Sequence, residues 1–169
     1  MKIWQLLKPV LLACMFIFGL IGQTKADLLL EARIAYSEGK YAEAAEMFTS
    51  LAEQGNADAQ VRLGVIKEIG KGIPQNFSEA AKWYRLAAEQ GDATGQNLLG
   101  LMYEEGKGVP RNFVLAHMWI NIAAANSSIG PRGEYVEARD SIAAHMTAKQ
   151  IAEAQALASK CTKNKFKGC

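Results

Sequence analysis

Residues 56–91, NADAQVRLGVIKEIGKGIPQNFSEAAKWYRLAAEQG, are followed at once by residues 92–127, DATGQNLLGLMYEEGKGVPRNFVLAHMWINIAAANS. Laid over one another at an offset of 36, they share Ala57/Ala93, Gln60/Gln96, Leu63/Leu99, Gly64/Gly100, Gly70/Gly106 and Lys71/Lys107. The identities run on through Gly72/Gly108, Pro74/Pro110, Asn76/Asn112, Phe77/Phe113, Ala80/Ala116, Trp83/Trp119, Ala87/Ala123 and Ala88/Ala124. A fixed period of this length is the signature of stacked repeats, in which a unit buries its apolar face only against its neighbours.

Each unit reads as two antiparallel helices, because both of its halves carry apolar residues at helical spacing. Ala59, Leu63 and Ile66 stripe the first helix; Ala80, Trp83, Tyr84, Ala87 and Ala88 stripe the second. Gly70-Lys71-Gly72-Ile73-Pro74 is the hinge between them: a glycine can end a helix at positive φ, and Pro74 stops the helix from resuming directly. Asn76 or Ser78 is the expected cap of the second helix. Small residues at Gly64, Ala80 and Ala88 allow the two helices to approach, and Trp83 and Trp119 are expected to fill the space between units.

The flanks read as partial units. Residues 41–55 (YAEAAEMFTSLAEQG) match residues 77–91 at the same offset, and residues 28–38 are the expected first helix of that pair. Residues 134–145 and 148–160 are expected to form a closing pair, with Thr147 and Gln150 spaced as a capping box. The fold expected is all-α: an α/α solenoid of about four helix pairs with period 36. Its divisions are a degenerate pair at 27–55, units at 56–91 and 92–127, a capping pair at 128–160 and a basic tail at 161–169.

Residues 1–26 read as an export signal: Lys2 and Lys8 precede a nearly uninterrupted apolar run, and Ala26 supplies the small residue at −1. The expected location is periplasmic or secreted, and membrane contact is expected only if that segment stays uncleaved or Cys14 is lipidated. Removing Lys2, Lys8 and Lys25 from the 19 basic residues leaves 16 against 17 acids, a net charge of −1, so no overall nucleic-acid footprint remains. Only the tail is locally basic, at Lys160, Lys163, Lys165 and Lys167, and it reads as a solvated end.

The pattern Ala-x-x-x-Leu-Gly-x-x-x-x-x-Gly-x-Gly-Val/Ile-Pro…Ala-x-x-Trp…Ala-Ala, at residues 59–88 and again up to Ala124, resembles the Sel-one-like repeat (SLR), a relative of the tetratricopeptide repeat. Lys67 departs from it where Tyr103 conforms, and Gly95 replaces its first alanine. The resemblance implies a helical solenoid serving as an adaptor for a protein or peptide partner. On tetratricopeptide-like geometry the groove positions are Asp58, Val61, Val65 and Glu68, then Thr94, Asn97, Leu101 and Glu104, each set running along one side of its helix. Three carboxylates beside short apolar side chains favour a peptide with basic character. Pairing with a second copy is the expected means of lengthening so short a groove.

A search for chemistry finds little. His117 and His145, the two histidines, belong to no zinc motif. Residues 64–71 and 100–107 place five residues between their glycines and follow the lysine with glycine, unlike a phosphate-binding Walker loop. No cofactor, metal or catalytic residue is expected. Some cysteine-rich secreted relatives of the family are described as penicillin-binding or β-lactamase-like, which makes a cell-wall hydrolase the alternative; a stabilising subunit of an envelope complex is another. The repeats hold no cysteine pairs, and the chain is read as lacking a Ser-x-x-Lys nucleophile motif. For Cys161 and Cys169 the expectation in an oxidising compartment is a disulfide, with free thiols, an intermolecular bridge or a metal site as alternatives.

Overall fold

A computed structural model describes residues 24–127 and 132–169, so the export-signal expectation and most of the 127–133 connection lie outside the described residues. Those residues form eight α-helices and no strand: α1 Lys25–Ser37, α2 Tyr41–Glu53, α3 Ala57–Ile69, α4 Phe77–Glu89, α5 Ala93–Glu105, α6 Phe113–Asn126, α7 Arg132–Ala143 and α8 Ala148–Lys163.

Local chemistry sets the helix ends. Asn56, Asp92 and Asn112 each accept a hydrogen bond from the backbone N–H three residues on, and of the two candidates before α4 it is Asn76 that caps, accepting from the Glu79 N–H at 3.0 Å. Gly70 and Gly106 end α3 and α5 in the left-handed region. Thr147 and Gln150 form the expected capping box. Thr24 and Asp27 form another, and α1 accordingly starts at Lys25, upstream of the expected Leu28.

The hinge does more than turn the chain. Gly108 has φ +68, and a Cβ there would lie 2.2 Å from the Phe77 carbonyl oxygen, at the start of the previous unit's second helix. Gly72 meets the Ala42 nitrogen in the same way, at 2.6 Å. The intervening lysines lie over aromatic rings, Lys71 Nζ 5.4 Å from the Tyr41 ring centroid and Lys107 Nζ 5.7 Å from that of Phe77. The residues that turn the chain within a unit therefore also seat it on the unit before.

Inside, Gly64 faces the Tyr84 ring and Gly100 faces Ile120, each so close that a methyl group would collide. Buried amides join successive units. Gln60 Nε2 donates to the Ala52 carbonyl at 3.0 Å, and its oxygen accepts from Gln90 Nε2 at 2.7 Å. Gln96 repeats the arrangement with Ala88 and Asn126. Both ends of each glutamine amide are thus hydrogen-bonded in the interior, which limits the desolvation penalty of burying it.

One expectation is met unevenly and another changes. Trp119 is fully buried, while Trp83 is half-buried and packs against the cluster formed by the preceding helices; α4 packs chiefly on α3 and α5, whereas α6 is covered by α5, α7 and α8. The last two helices are not a hairpin packed on itself: α7 and α8 both lie on α6 and hardly touch one another. The reason is in α6, where Met118, Trp119, Ile120 and Ile122 are all buried, so apolar surface faces several directions and receives a helix on each flank. Tyr135 and Ile142 are the buried apolar side chains of α7, and Ala154, Ala158 and Cys161 those of α8. α8 also runs past the expected residue 160, to Lys163.

Candidate functional site

The first helices of successive units, α1, α3 and α5, contribute to one face, and α3 and α5 approach one another directly. A cavity of about 240 Å³ opens there, lined by Tyr36 of α1, Asp58, Val61, Arg62 and Val65 of α3, and Asp92 and Thr94 at the start of α5. Of the positions expected on tetratricopeptide-like geometry, Asp58, Val61, Val65 and Thr94 line this cavity. Glu68, Asn97, Leu101 and Glu104 do not line it; Leu101 leans against the core instead. Val61 is itself buried, so Val61 and Val65 make an apolar floor.

The charges differ from the expectation of free carboxylates. Asp58 accepts from Arg33 Nη2 at 3.1 Å, and its two oxygens accept from Arg62 Nε at 3.1 and 3.0 Å. One carboxylate shared by two guanidinium groups leaves no net negative charge at that point. Glu68 Oε2 accepts from the Tyr84 hydroxyl at 2.7 Å. Burial, and then Glu68, push the Tyr84 hydroxyl well above its ordinary pKa, so it stays a donor. The basic-peptide preference therefore loses two of its three carboxylates to partners within the fold.

Arg33, Tyr36, Arg62 and Asp92 were not among the expected groove residues. A signal for the α1 pair exists: Tyr36-x-x-Gly39 repeats Tyr103-x-x-Gly106, and on that register Ala32 matches Leu63 and Leu99 in the core. The same register puts Leu30 and Ile34 where α3 has Val61 and Val65. Leu30 and Ile34 are 58% and 47% exposed, the two most exposed large apolar side chains described.

Nothing at the histidines resembles a reaction centre. His117 is buried on α6, where burial and then Arg139 lower its pKa, and its Nδ1 has no hydrogen-bond partner. His145 stacks on Phe113 with ring centroids 6.1 Å apart. The reading that the chain lacks a Ser-x-x-Lys motif is corrected at Ser37-Glu38-Gly39-Lys40, which has that spacing. There the Ser37 hydroxyl donates to the Ile34 carbonyl, and Lys40 pairs with Glu38, which raises its pKa and keeps it an ammonium rather than a base. Among the described residues no group of three or more His, Cys, Asp or Glu side chains is placed to hold a metal ion.

The Sel1 repeat family model matches residues 57–92 and 93–128, which are the two hinge-bearing units to within one residue. The chain carries two Sel1 repeats. Its Sel1 array is similar to c5321, a protective antigen present in uropathogenic Escherichia coli strains displaying an SLR fold, with 29% identity and a TM-score of 0.76. That match covers 84% of this chain but 31% of c5321, so this chain spans about a third of that protein's length. A Sel1 repeat protein from Oxalobacter formigenes is 28% identical with a TM-score of 0.58, over 85% of this chain and 67% of its own. No individually curated protein matches. Sel1 repeats generally serve as protein-interaction scaffolds.

Proposed function

We propose that the chain is an exported, non-enzymatic scaffold whose protein partner lays a segment across the first helices, over Tyr36, Val61 and Val65. The observation that carries this is the cavity itself, assembled from three successive first helices around an apolar floor. Its charges are balanced internally, so the partner segment is mainly apolar, with polar groups that meet Arg62 and Thr94 at the rim. The exposed pair Leu30 and Ile34 lengthens the apolar surface along α1. Export fits the apolar amino-terminal run read from the sequence and the bond between Cys161 and Cys169.

The test is capture of partners from the native envelope extract after mild cross-linking, with Val65→Glu and Thr94→Lys compared against the parent. Both positions have solvent access, so the variants are expected to fold, which circular dichroism checks. A partner recovered by the parent and lost from both folded variants supports the reading; one indifferent to both places the binding face elsewhere.

A further inference from the structure

Beyond α8 the chain is held in a costly conformation. Lys165 and Phe166 have φ of +52° and +65°, the two non-glycine residues described in the left-handed region, where each is disfavoured by roughly 1–2 kcal/mol. Three tethers hold them there. The Phe166 N–H donates to the Cys161 carbonyl at 2.9 Å, Cys161 is bonded to Cys169, and the half-buried Phe166 ring rests on Gly91, where a Cβ would lie 3.1 Å from its Cε2. The tail is thus a closed loop seated on the α4–α5 turn.

What this ordering presents is charge. Lys160, Lys163, Lys165 and Lys167 are exposed, none is in an ion pair among the described residues, and the sequence holds no acid between residues 160 and 169, although Lys167 shares a cavity lining with Glu53 and Glu89. The dipole of α8 accounts for Lys160 and Lys163 in its last turn, but not for the two lysines beyond it. Lysines are compact point charges without the planar fork that reads a carboxylate in two places. Phe166 is turned onto Gly91, so no ring of the loop is free to stack on a base. A diffuse anionic surface is what such an array matches, and clusters of about four or more lysines bind one.

We propose that this disulfide-closed lysine loop docks the protein on an anionic phospholipid bilayer. It stands independently of the groove. Each lysine near such a surface adds about fivefold to binding, and a pre-ordered loop loses less freedom on docking than an open tail.

The experiment is co-sedimentation of the full exported chain, oxidised, with phosphatidylcholine vesicles containing about a quarter phosphatidylglycerol, read as the excess over pure phosphatidylcholine. That subtraction removes any apolar contribution of the amino-terminal segment. The expected result is an excess that disappears between about 0.02 and 0.3 M salt and falls more than tenfold in Lys163→Glu/Lys165→Glu, with Cys161→Ser/Cys169→Ser weaker by a few-fold. No excess at low salt, or an unaffected charge-reversal variant of native circular dichroism, would overturn the proposal. So would retention on polyglutamate without any vesicle excess, which assigns the loop to an acidic protein. A double-serine variant that binds as tightly as the parent would overturn the role of loop closure.

Discussion

The hinge and turn glycines separate two kinds of cost that substitution to alanine normally mixes. At Gly108 the backbone is left-handed and a Cβ would collide with a main-chain carbonyl, that of Phe77, at 2.2 Å. The left-handed penalty is roughly 1–2 kcal/mol, and forcing apart two packed backbones adds about 1–3, so Gly108→Ala should cost about 2–5 kcal/mol. Gly55 has φ +86 with nothing within 4 Å of its Cβ position, so Gly55→Ala should cost only the first part, about 1–2 kcal/mol. Gly64 is helical with the Tyr84 ring 2.5 Å from its Cβ position, so Gly64→Ala carries a packing cost of about 1–3 kcal/mol, offset by up to about 1 kcal/mol of helix preference. Gly133 is in α7 with no neighbour, and Gly133→Ala should stabilise by up to about 1 kcal/mol. Urea unfolding followed at 222 nm measures all four, and the thermal midpoint of Gly108→Ala should fall by about 10 °C at a few degrees per kcal/mol. If Gly108→Ala lost no more stability than Gly55→Ala, the claim that this glycine seats one unit on another would be wrong.

Two further expectations concern titrating groups. Because Tyr84 is held above its ordinary pKa of 10.0, the folded state keeps its proton more tightly; that stability is complete below pH 10 and is lost as pH rises further. Tyr84→Phe should lose about 1 kcal/mol at neutral pH and unfold less steeply in alkali, as followed by circular dichroism during titration. His117 is depressed from 6.5, so its contribution is present above that pH and is lost as pH falls toward the folded-state value. The urea midpoint should drop as pH falls through 6.5 and below, and should drop less in His117→Ala, the residue that Ala81 supplies in the preceding unit. Equal acid sensitivity in the two proteins would assign it to other groups.

Much of the fold was legible because the features that fix it are local and repeated. The period, the hinge, the caps and the close approach at Gly64 and Gly100 each appear twice in the sequence. The placement of α8 was not read, although its cause was present. Where α4 has Glu79 and Lys82, α6 has Leu115 and Met118, apolar side chains that α8 covers. At the groove, Asp58 was legible as a position but not as a charge. Of its two partners, Arg62 stands four residues on, a spacing the sequence shows, whereas Arg33 is 25 residues away on the preceding first helix, and pairing across a repeat boundary leaves no trace in spacing. Gln60 and Gln96 stood out as identities without an apolar role, and only the carbonyls of Ala52 and Ala88 explain them.

The covering of α6 by α8 bears on how such an array changes in length. A duplicate of residues 56–91 spliced in before Asn56 meets at each end a junction already present, from an Ala-Glu-Gln-Gly ending into an Asn- or Asp-capped helix. The last unit, with α7, α8 and the loop on Gly91, passes through such an event untouched. Splicing after α6 instead strands a flank whose complement is elsewhere in the chain. Copy number in this architecture is therefore adjustable from the amino-terminal side only, and the terminal module behaves as a stopper inherited as one piece.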